Sequence, residues 1–133
     1  MNVLITPLYA AIFGLIFTVL SIRTVLLRRK FKVAIGYGEQ PILIRAISVH
    51  SNFAEYVPFA LLLIFFLETQ TQAMVMIHIL CVALLLGRLI HAYGVSQIKE
   101  NYKLRTIGMI LTLGVVISTS QRLIFYFIDT AAN

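Results

Sequence analysis

Apolar residues run in four long blocks along this chain: Val3–Leu27, Ile42–Leu67, Ala73–Val95 and Leu104–Ile128. Each block supplies the roughly 20 residues that a helix needs to cross a bilayer. Period-2 alternation is absent, so the pattern predicts helices and argues against a transmembrane barrel. The expected fold is all-α, an integral membrane bundle of four transmembrane helices in up-down-up-down order, forming a single domain over residues 1–133. Gly36, Gly38 and Pro41 mark the first connection, Glu68–Gln72 the second, and Gly94 with the polar run Gln97–Lys103 the third. Gly108 and Gly114 in the fourth helix are expected to allow close helix approach.

Composition agrees with lipid as the main solvent. Sixty per cent of the residues are hydrophobic and 12% charged, against about 25% charged in soluble domains. The net charge of +6 is concentrated by position. Arg28, Arg29, Lys30 and Lys32 follow the first apolar block, and Lys99, Lys103 and Arg105 surround the third connection, while the second connection carries no cation. The positive-inside rule then puts connections 1 and 3 in the cytoplasm and both termini on the non-cytoplasmic side of the cell (inner) membrane. No aromatic platform accompanies the cations, so nucleic acid is not an expected partner; membrane lipids are. A secretory signal carries its positive charge before the apolar run. Here the charge follows, as suits an uncleaved first helix. Cys81, the lone cysteine, sits mid-helix and reads as a small packing residue.

Candidate chemistry is densest at the head of the second block. Arg45, Ser48, Asn52, Glu55 and Tyr56 are spaced three, four, three and one apart, which makes one polar stripe on a helix, with His50 pointing well away. Charged groups at membrane depth cost free energy and are seldom there without a partner or a purpose. The stripe can hold an anion at Arg45, an amide at Asn52 and an amine or cation at Glu55. It reads equally as an inter-helix polar network, with Arg45 pairing Glu55 or lipid phosphates. Arg88 and His91, three apart, share a face of the third helix. Arg88 needs an acid, and Glu55 is the expected partner. Arg105 opens the fourth helix at the level of Arg45, either snorkelling to headgroups or polarising a ligand anion. The three histidines and the cysteine lie at different depths, so no metal site is expected.

Taken together, Arg45…His50-x-Asn52-x-x-Glu55-Tyr56-x-Pro58, the basic run Arg28–Val33, Arg88-x-x-His91 and Arg105 resemble the MAPEG family, the membrane-associated proteins in eicosanoid and glutathione metabolism, and its short bacterial branch most. The resemblance covers the whole chain in order. It implies a homotrimer of four-helix subunits that binds glutathione between neighbouring subunits near the cytoplasmic side. It further implies transferase or peroxidase chemistry on lipophilic small molecules, with glutathione as co-substrate. By resemblance, Arg105 is the catalytic thiolate stabiliser, and Arg28, Arg29, Arg45, Asn52, Glu55, Tyr56, Arg88 and His91 form the glutathione site. Ser48 and Val95 stand where many family members have an arginine and a tyrosine, which removes two glutathione contacts. Two other readings stand beside this one. A non-catalytic, lipid-binding member of the same family is the first. A small proton-coupled multidrug transporter is the second, disfavoured because such transporters place their carboxylate in helix 1 and none is there.

Overall fold

A computed structural model describes residues 4–71 and 73–132. It contains α1 (Thr6–Phe31), α2 (Pro41–Gln70), α3 (Met74–Ser96) and α4 (Tyr102–Ala132). All four are long and apolar enough to cross a membrane. The start of the first apolar block at Val3 and the end of the second connection at Gln72 lie outside the described residues.

Each helix runs one to four residues past the C-terminal end of its apolar block. Arg28, Arg29 and Lys30, expected to follow the first helix, form its last turn. Cations are favourable there against the exposed C-terminal carbonyls. The helix stops at Lys32, whose left-handed backbone (φ 56°) turns its N–H onto the carbonyls of Arg28 and Arg29. Pro41 opens α2, where its missing N–H costs nothing. Asn101 starts α4: its side-chain oxygen accepts the N–H of Leu104 at 3.2 Å, which caps an otherwise unpaired donor.

At the opposite end of the bundle, Glu68 at the close of α2 accepts the backbone N–H of Ile5 and that of Thr6, the latter at 2.9 Å. This buried carboxylate therefore caps α1 from another helix and complements its positive end.

α2 is the central helix and packs on each of the others, while α1 touches α3 only lightly. Phe13, Phe53, Ile64, Ile77 and Leu84 fill the core, with Cys81 fully buried among them. α3 and α4 pack most intimately. In lipid, apolar burial gives no advantage over acyl chains, so close backbone approach between small residues must supply the attraction. Gly87 and Gly108 provide it: a Cβ added at Gly108 would lie 2.6 Å from the Gly87 carbonyl oxygen and from the His91 nitrogen. Gly114, expected to act similarly, has nothing within 4 Å of an added Cβ and faces away from the subunit.

Candidate functional site

The polar side chains gather at the basic end, in two layers. In the outer layer, Glu100 on the α3–α4 connection bridges two arginines from different helices. Arg45 Nη1 on α2 donates to Glu100 Oε2 at 2.6 Å, and Arg105 Nη1 on α4 donates to Oε1 at 2.7 Å. The Glu100 side chain is 7% exposed, Arg45 27% and Arg105 50%. Gly94 makes this possible, because a Cβ there would stand 2.8 Å from the backbone nitrogen of Arg105.

Deeper in the bundle, Arg88 on α3 is almost completely buried. Its Nη2 donates to Asn52 Oδ1 at 2.7 Å, and its guanidinium carbon stands 5.5 Å from the centre of the Tyr56 ring. Nη1 points at the Met109 sulfur at 3.9 Å, and Nε has no hydrogen-bond partner among the described residues. His91, one turn along α3, is buried against the α4 backbone at Gly108, within electrostatic reach of Arg88, Arg105 and Glu100.

The expected Arg88–Glu55 ion pair is not formed. Glu55 is exposed and has no hydrogen bond or ion pair among the described residues. Helical phase explains why. At about 100° per residue, Arg45, Asn52 and Tyr56 fall within about 40° of one another, while Ser48 and Glu55 lie about 40–60° to the other side of Asn52. The stripe therefore splits. Arg45, Asn52 and Tyr56 turn half-buried toward α3 and α4, and Ser48 and Glu55 face outward. His50 lies on the opposite face, stacked on Phe17 and hydrogen-bonded to Ser21 at 3.0 Å.

Arg28 and Arg29 stay apart from both layers. With Val25, Lys32, Val33 and Ala34 they line a separate recess of about 400 Å³. The Arg28 guanidinium makes long contacts, 3.5 Å each, to the carbonyls of Val33 and Ala34.

Glu100 is the residue that the sequence reading missed. Its signal was available: of the five acids in the chain, it is the one enclosed by Lys99, Lys103 and Arg105. The hydrogen bond from Arg45, helped by the weaker effect of that from Arg105, holds its carboxyl below the usual glutamate range against the opposing effect of burial. A depressed carboxyl adds stability that is fully present above the unfolded value, about 4.3, and is lost as pH falls through the folded value. Partial exposure of the arginines keeps the contribution below about 1 kcal/mol. Acid titration of thermal stability should therefore show a steady gap between wild type and Glu100→Gln above about pH 4.3 that closes as pH falls below it. A constant difference across that range would remove the carboxylate from the linkage.

Fold and site together define a four-helix membrane protein with an arginine-rich polar end. The chain belongs to the MAPEG family: a model of that family matches residues 6–125. It is 38% identical, over 109 residues covering 82% of each chain, to the inner membrane protein YecN of Escherichia coli K12. The YecN protein of E. coli O6:H1 strain CFT073 matches to the same extent. With the four apolar helices, these relatives support a multi-pass inner membrane protein. No solved structure matches the chain.

Proposed function

We propose that the protein is a glutathione-dependent transferase or peroxidase of the inner membrane, acting on lipophilic electrophiles or lipid hydroperoxides. The observation that carries this reading is the convergence of Arg45, Asn52, Arg88 and Arg105, from three helices, on one polar end. Glutathione carries two carboxylates, an amine and a thiol. Arginines suit the carboxylates, since a guanidinium matches a carboxylate in geometry and charge. Glu55, exposed and unpaired, suits the amine. Arg105 is half-exposed and available to a thiol, whose ordinary pKa of about 8.5 falls beside a cation, so that more of the reactive thiolate is present.

Glu55, Arg28 and Arg29 point away from the two-layered cluster within one subunit. A homotrimer would bring such outward groups to an interface, and it is the assembly we propose, with both termini on the non-cytoplasmic side. The lipophilic partner has a candidate seat in an apolar cavity of about 250 Å³ between α1 and α2, lined by Phe13, Phe17, Phe53, Val57, Pro58 and Leu61. That same cavity favours the second reading, a lipid-binding protein without catalysis.

The deciding experiment is glutathione binding to the detergent-purified protein, read from thiolate absorbance. Wild type is expected to bind at millimolar glutathione or below and to show the thiolate band. Arg105→Ala is expected to lose tenfold or more of the thiolate signal and of conjugation activity. Absence of binding at millimolar concentration would leave only the non-catalytic reading. Chemical crosslinking is expected to end at a trimer, and a ladder ending at a dimer would overturn the assembly.

A further inference from the structure

Glu100 holds the two arginines in the way that a ligand carboxylate would. Its two oxygens receive one guanidinium each, at 2.6 and 2.7 Å, from helices that are otherwise separate in the chain. Such charge-assisted pairs are the strong hydrogen bonds of proteins. The residue that supplies the carboxylate is not part of a helix. It stands on the short connection between Ser96 and Tyr102, next to the exposed Lys99. We infer that Glu100 is a built-in occupant of an anion site formed by Arg45 and Arg105, and that a carboxylate-bearing ligand enters this site by displacing it.

Exposure sets the order of events. Arg105 is half-exposed, whereas Glu100 is nearly covered, so an incoming carboxylate meets Arg105 first. Displaced Glu100 swings toward water and regains hydration, so the exchange trades one carboxylate for another at little electrostatic cost. Neutral ligands cannot make this trade, so the site selects for anions. The same occupancy limits affinity. A protein whose binding-competent form is a fraction of the population binds more weakly by that fraction. The inference rests on the proposed reading that Arg45 and Arg105 face the ligand.

The test compares wild type and Glu100→Gln, which keeps size and one acceptor oxygen but removes the charge and the acceptor facing one of the two arginines. Binding of glutathione, and of glutarate as a plain dicarboxylate without thiol or amine, is measured by calorimetry in detergent. Both ligands are expected to bind Glu100→Gln on the order of tenfold more tightly than wild type. Equal or weaker binding by a folded Glu100→Gln would make Glu100 a structural clamp and overturn the inference. Binding of neither ligand to either protein would overturn it too. A gain for glutarate, with glutathione bound by neither protein, would keep the inference and remove the glutathione reading. Glutathione bound equally by both would do the reverse. If Glu100→Gln fails to fold, hydrogen exchange on wild type decides. Saturating glutarate should speed exchange across residues 97–101, and unchanged or slower exchange there would sink the displacement.

Discussion

Gly108→Val is expected to destabilise the subunit by about 3 kcal/mol and to lower its thermal midpoint in detergent well below that of wild type. The first added carbon already has no place to go. It would stand 2.6 Å from the Gly87 carbonyl oxygen, the His91 nitrogen and the His91 Cβ, and two of these atoms belong to backbone that cannot swing aside. The facing Gly87 is similarly tight, with an added Cβ 3.0 Å from Leu111 Cβ and 3.1 Å from the Gly108 carbonyl oxygen. α3 and α4 would have to separate, and in lipid their close packing is the main attraction between them. Separation would also shift His91 and the α4 start that carries Arg105, so ligand binding should fall with stability. Gly114→Ala is the control. It meets no atom within 4 Å and should be neutral or gain up to about 1 kcal/mol from better helix propensity. A wild-type midpoint for Gly108→Val, measured by loss of helical circular dichroism, would refute this account of the α3–α4 seam.

Asn52→Leu is expected to cost about 3 kcal/mol, because it leaves a buried charge without its oxygen partner. Arg88 is 1% exposed, and Asn52 Oδ1 is the one oxygen that its side chain contacts among the described residues. The Tyr56 ring and the Met109 sulfur remain, but a ring face and a thioether are weak substitutes for a hydrogen-bonded oxygen. The double variant Asn52→Leu/Arg88→Met should recover most of the loss, since it removes the charge together with its partner and roughly conserves volume. The two changes should therefore be strongly non-additive in a double-mutant cycle. Additive effects, with the double variant as unstable as the sum, would mean that the Arg88–Asn52 contact does not hold the charge. Both variants are also expected to weaken glutathione binding, which separates the structural role of the pair from any role in the ligand site: stability recovers in the double variant and binding does not.

The stripe on α2 illustrates what was legible before the structure. Spacing alone puts Arg45, Ser48, Asn52, Glu55 and Tyr56 on one stripe and His50 on another face; the structure bears out the place of His50 and keeps only Arg45, Asn52 and Tyr56 together. The same spacing was too coarse to divide the stripe. A turn of about 40–60° separates the inward trio from Ser48 and Glu55, and only the seat of α2 against α3 and α4 selects which edge is buried. The expected Arg88–Glu55 pair failed at this step. Rotation about the helix axis decides the partner, and Arg88 meets Asn52 instead. Gly108 and Gly114 divided in the same way, one at the α3 contact and one outside it.

By itself, the sequence determined that this chain forms four membrane-crossing helices with its cations gathered at the connections, because length, apolarity and charge position act locally and need no partner. It also marked Arg45, Asn52, Arg88 and Arg105, because charged and amide groups stand out in an apolar run, but not Glu100 on its connection. The tertiary structure alone decided that Arg45 and Arg105 meet over Glu100. That residue stands on a connection without helical periodicity, so its direction follows from where Gly94 lets the chain turn and where Asn101 starts α4. Ion pairing between helices depends on rotation and on the path of the links, and neither is written in the spacing of any one helix.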